Sequence, residues 1–129
     1  MRIVFGISIA AWATAIAIPV AAQAPITRFD GVYAGVSMTS TNTQRYCPQP
    51  QRPAPGALTI ANGVARTPWG AGGELVGSVA ADGTLVMRES GTQNRFDGRA
   101  DGQNVRGGAT FGGAARVPCV WNLAWLRQR

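Results

Sequence analysis

Residues 58–110 read LTIANGVARTPWGAGGELVGSVAADGTLVMRESGTQNRFDGRADGQNVRGGAT, and this stretch decides the fold. Short alternating runs are broken by Asn62-Gly63, Asp82-Gly83 and Asp101-Gly102, at spacings of 20 and 19 residues. Asn-Gly and Asp-Gly suit tight hairpins, whose central residues need positive φ. Half of that spacing is one strand plus one turn, the signature of a barrel or sandwich. The runs Leu58–Ala61, Val64–Thr67, Glu74–Ala80, Thr84–Arg88, Arg95–Ala100 and Gln103–Thr110 are therefore read as strands.

Upstream, Phe29–Met38 also alternates. Val32, Ala34, Val36 and Met38 fall on one face; Tyr33, Gly35 and Ser37 fall on the other. Downstream, Ala115–Leu126 makes a last strand, with Cys119, Trp121, Leu123 and Trp125 on one face as a core stripe. Pro48, Pro50, Pro53 and Pro55 mark an extended loop, because proline lacks a ladder donor. The expectation is an all-β domain: about eight antiparallel strands in an up-and-down meander. A meander that closes removes its two bare edges, so a small barrel is favoured, with a β-sandwich as the alternative.

The chain opens with Arg2, an uncharged apolar run from Ile3 to Val20 that meets Pro19, and then Ala21-Ala22. That order is the pattern of a cleaved signal peptide with its h-region as a signal helix. The division expected is 1–22 signal peptide, 23–28 leader and 29–129 a single β-barrel-like domain. The destination is the periplasm or the extracellular space, with no membrane span after cleavage. Strands near six residues are short for a membrane barrel, which needs about 9–11.

Cys47 and Cys119 are the only cysteines. In an oxidising compartment an even pair is expected to join. The bridge would close a long loop, for which chain entropy predicts roughly 4 kcal/mol of stabilisation. It would also tie the region after the first strand to the last strand, which favours closure.

The chain contains no His and no Lys. This removes Ser-His-Asp and Cys-His nucleophile arrangements and Schiff-base chemistry. Asp82 and Asp101 precede turn glycines, where Asp is favoured for backbone reasons. Asp30, Glu74, Glu89 and Asp97 remain as carboxylates for a glycosidase-type pair, without a recognisable frame. No catalytic set, metal site or cofactor is expected. Gly70–Gly73 and Gly107-Gly108 lack the lysine and the strand-loop-helix setting of a phosphate loop.

All twelve cations are arginine, against six acids. Arg95, Asp97 and Arg99 share one strand face, with Arg88 on the strand before and Arg106 on the strand after. Together they are candidates for a basic stripe. Trp69, between Pro68 and Gly70, is a candidate contact residue or a barrel-end plug. In an exported compartment the available anions are envelope polymers and acidic proteins rather than nucleic acid. The chain is read as a monomeric, non-enzymatic binding module of the cell envelope. The alternatives are a periplasmic inhibitor of a hydrolase and a carboxylate-dependent hydrolase.

Phe29-Asp30-Gly31-Val32-Tyr33-Ala34-Gly35, Cys47-Pro48, Leu58–Gly63, Gly77-Ser78-Val79 with Asp82-Gly83-Thr84-Leu85, Phe96-Asp97-Gly98 and Cys119-Val120-Trp121 resemble a family of short exported proteins from alphaproteobacteria. The resemblance implies a small disulfide-containing β domain. It carries no functional residue over. A looser architectural likeness links the chain to small periplasmic β-barrel inhibitors of lysozymes or secreted proteases, without their inhibitory-loop motifs.

Overall fold

The computed structural model describes residues 14–15, 25–42, 44–112 and 117–129. The expected signal peptide, residues 1–22, lies outside them apart from Thr14 and Ala15. Eight strands follow in chain order: β1 Gly31–Ser40, β2 Leu58–Ala61, β3 Val64–Trp69, β4 Gly73–Val79, β5 Thr84–Glu89, β6 Arg95–Ala100, β7 Asn104–Phe111 and β8 Cys119–Arg127. Each pairs antiparallel with the next, and β1 pairs with β8, so the meander closes into a barrel. No helix among the described residues is long and apolar enough to cross a membrane.

The hairpin turns form where the dipeptides place them. Asn62 and Gly63 both take positive φ, 51° and 77°. At the two Asp-Gly turns only the glycine does, and the aspartate accepts backbone N–H bonds instead. The last strand begins at Cys119 rather than Ala115; residues 113–116 lie outside the described set.

Alternation then sorts the side chains. An eight-stranded barrel has an interior just wide enough for side chains to fill. Leu58, Leu75, Leu85, Met87, Phe96, Val105 and Trp125 fill it and are almost wholly buried. Phe96 and Trp125 meet edge to face, with centroids 5.4 Å apart. At Gly98 and Gly107 any Cβ would strike the Phe96 ring and the neighbouring backbone, so the glycines leave room for that ring where β6 and β7 pair. The Cys119, Trp121, Leu123, Trp125 stripe faces inward as expected, with Trp121 only partly buried.

The first strand departs from simple alternation. Tyr33 is fully buried, whereas Val32 and Val36 are exposed. A bulge between Gly35 and Ser37 shifts the register against β8. It puts one extra residue on β1, so Met38 joins the core side and leaves the face of Val32 and Ala34. Strict alternation groups Met38 with Val32; a bulge breaks that rule because it advances the chain without advancing the pairing.

The two ends of the barrel close differently. At one end Phe29 plugs the opening, and the Tyr33 hydroxyl donates to its carbonyl at 2.6 Å. Ile26, within the expected leader, packs against this core. At the other end the proline-rich loop folds over β1 and β8. Met38 N donates to Pro53 O at 2.9 Å, Trp121 Nε1 to Pro48 O at 3.0 Å and Trp125 Nε1 to Gly56 O at 2.8 Å. The Asn42 side chain imitates a strand, donating to Val120 O and accepting from Val120 N. The Cys47–Cys119 disulfide, with Cα atoms 5.5 Å apart, anchors the loop to β8.

Candidate functional site

The outward positions of β5, β6 and β7 carry the arginines, because the inward ones are taken by Leu85, Met87, Phe96, Val105 and Ala109. Register decides how they meet. Arg88 lies directly opposite Arg95, and Arg99 directly opposite Arg106. Such partners have Cβ atoms about 4.5–5.5 Å apart, and like charges in that relation destabilise a sheet. The expected stripe is thus two opposed pairs, separated on β6 by Asp97.

The pairs are not equivalent. Arg95 is engaged: its Nε donates to Asp97 Oδ2 at 2.6 Å and its second nitrogen to Oδ1 at 2.5 Å. The Asp97 carboxylate accordingly pushes the Arg95 pKa up. Both oxygens of the carboxylate are engaged by one guanidinium fork. Arg66, across Val76 from Arg88, is paired with Glu74 at 2.9 Å. Arg88, Arg99 and Arg106 are exposed and make no ion pair among the described residues.

Two surface depressions border these residues. One, of about 310 Å³, is lined by Arg99, Asp101, Asn104 and Arg106. The other, of about 660 Å³, lies between the β3–β4 and β5–β6 hairpins and takes in Trp69, Glu74, Arg88, Glu89 and Asn94. Trp69 and Arg88 therefore border the same depression, and Arg99 and Arg106 border the other. Its ring is half-buried against Phe111 and Trp121, with centroids 5.9 and 5.8 Å away. It belongs to the aromatic cap of one barrel end and shows only part of itself to solvent.

The carboxylates are all engaged in local structure. Asp30 accepts from the backbone N–H groups of Asn62 and Gly63, at 2.8 and 3.2 Å. Asp82 accepts from Thr84 N, and Asp101 from Gln103 N and Asn104 N. These N–H bonds hold both turn aspartates below the usual carboxylate range, with smaller help from Arg99 at Asp82 and Arg106 at Asp101. Glu74 and Asp97 hold arginines, and Glu89 accepts from the Asn94 amide at 3.3 Å. No cluster of three metal-ligating side chains occurs among the described residues.

Asn104 and Arg66 do not stand out in the sequence pattern. Period-two alternation does place Arg66 on the outer face of β3. Its membership of the same row as Arg88 depends on register, which alternation does not carry. No family model, no curated protein and no solved structure matches the chain.

Proposed function

We propose that the chain is an exported, non-enzymatic binding module of the cell envelope, in which a rigid barrel presents the outer face of β5–β7 to an anionic partner. The observation carrying this reading is the opposition of Arg88 to Arg95 and of Arg99 to Arg106, with three of the four lacking an ion-pair partner among the described residues. A directly opposed like-charge pair costs stability in the free protein. An anion between the two guanidinium groups turns that cost into affinity. The frame is suited to such binding. With the strands closed and the core filled, the arginine backbones are held before contact, so little ordering is required.

Export rests on the apolar run Ile3–Val20 of the expected signal peptide, on the resemblance to short exported proteins and on the disulfide, a bond that persists in oxidising compartments. The partner is then an acidic envelope polymer or an acidic protein surface. The engagement of each carboxylate in a turn or an ion pair supports binding over hydrolysis.

The test is retention on immobilised polyphosphate and on polygalacturonate. Wild-type protein is expected to bind at least one of them at low salt and to elute as salt rises. The triple variant Arg88→Gln/Arg99→Gln/Arg106→Gln is expected to elute at markedly lower salt. Equal retention of the two proteins would sink the reading.

A further inference from the structure

We infer that the depression lined by Arg99, Asp101, Asn104 and Arg106 is a phosphate-ester site, and that it gives the basic face its chemical selectivity. The inference deepens the anion-binding reading and rests on it.

Three observations lead there. First, only this arginine pair is wholly open: Arg95 of the other pair is occupied by Asp97 through both oxygens. That contact also shows the planar, two-bond match between one guanidinium fork and a carboxylate. Arg99 and Arg106, directly opposed on neighbouring strands, offer two guanidinium groups to one anion. A phosphate ester, with charged oxygens arranged tetrahedrally, can engage both.

Second, the acid in the wall is partly engaged by the turn it belongs to. Asp101 Oδ1 accepts from Gln103 N at 2.8 Å and from Asn104 N at 2.6 Å, which commits it to the β6–β7 turn. Asp82, at the β4–β5 turn, is likewise tied to Thr84 N at 2.9 Å. Asp101 feels the field of Arg106 and Asp82 that of Arg99, yet neither forms an ion pair with its arginine within 4.0 Å. Asn104 also lines the depression, and its side chain contributes to stabilising the Asp101 carboxylate.

Third, the backbone beneath the pair has little freedom. Gly98 and Gly107 lie opposite each other, one residue along from Arg99 and Arg106, and are packed under the Phe96 ring. The Cα positions that carry the arginines are therefore fixed by the core. The depression, of about 310 Å³, is open to solvent and offers room for a phosphate group whose ester portion stays outside.

The site can be tested by titration calorimetry with glucose 6-phosphate and with glucuronate, which present a phosphate ester and a carboxylate on similar sugars. Wild-type protein is expected to favour the phosphate ester by about tenfold or more, since its second charge and third oxygen strengthen the bonds to both guanidinium groups. Arg99→Gln/Arg106→Gln is expected to abolish that preference. Arg45→Gln/Arg52→Gln, which removes the same charge from the connection between β1 and β2, is expected to retain it. Vesicles of phosphatidylglycerol in phosphatidylcholine separate the sources: binding lost in the Arg99/Arg106 variant assigns a lipid headgroup, and sugar phosphate binding alone assigns a soluble or polymer-borne ester. Equal affinity for the two sugars, or equal losses in the two double variants, overturns the phosphate-ester site. If polyanion retention survives that result, the binding-module reading stands without the site; if retention is also absent, both fall.

Discussion

Tyr33 joins the core to the barrel end through one atom. Its ring is fully buried and its hydroxyl donates to Phe29 O at 2.6 Å, fastening the plug that Phe29 forms. Burial raises its pKa above the usual tyrosine value. The folded state therefore holds the phenolic proton more tightly than the unfolded chain. The associated stability is full below the ordinary value near 10 and is lost as pH rises through the folded value. Tyr33→Phe is expected to cost about 1 kcal/mol at neutral pH, through the lost hydrogen bond. It is also expected to flatten the alkaline limb of a thermal-melt-versus-pH profile. An unchanged alkaline limb would remove Tyr33 as its source. The residue also marks a limit of sequence reading. Alternation separates Tyr33 from Val32, but only packing shows that the tyrosine side faces inward.

At the scale of elements, the proline-rich loop and the disulfide act as one cap. Its four prolines have no N–H to offer a strand edge, so the loop works mainly as an acceptor, through Pro48 O, Pro53 O and Gly56 O. Thr67, the buried polar residue of β3, also donates to Gly56 O at 3.3 Å. The loop thus satisfies two tryptophan N–H groups and a buried hydroxyl, while the disulfide holds it in place. Cys47→Ala/Cys119→Ala is expected to lose roughly 4 kcal/mol of stability, through the freed loop entropy. Its tryptophan emission is expected to shift to the red as water reaches Trp121. A variant melting at the wild-type temperature with unshifted emission would show that the loop holds without its bridge. The turns were legible in sequence because Asn-Gly and Asp-Gly act locally. The bulge at Val36 was not, since it is a mismatch of β1 against β8, which are far apart along the chain.

For the molecule as a whole, charge distribution and stability are opposed. The closed barrel is held by a filled interior and carries a small penalty on the outside of β5–β7. Relieving it should be visible. Arg106→Thr keeps a good strand former, and it is expected to raise stability by a few tenths of a kcal/mol at low ionic strength. The gain should shrink in 1 M salt, where the Debye length falls to about 3 Å. Paired thermal melts at low and high salt check this. A destabilised variant, or a gain indifferent to salt, would mean that Arg106 is held by something other than repulsion and would weaken the case for an open anion face.

The amino-acid sequence by itself determined the strand number, the turns, the inward stripe on β8 and the residue types available for chemistry. These follow from period-two alternation, from dipeptides with restricted φ and from the absence of His and Lys. It also named Arg88, Arg95, Arg99 and Arg106 as outward-facing. Tertiary structure alone decided closure over a sandwich, the place of Trp69 in an aromatic cap and the pairing that separates an engaged Arg95 from an open Arg99 and Arg106. The reason is physical: a strand's pattern fixes which side each residue faces, whereas its neighbour across the sheet depends on register, and register is set by how the whole core packs.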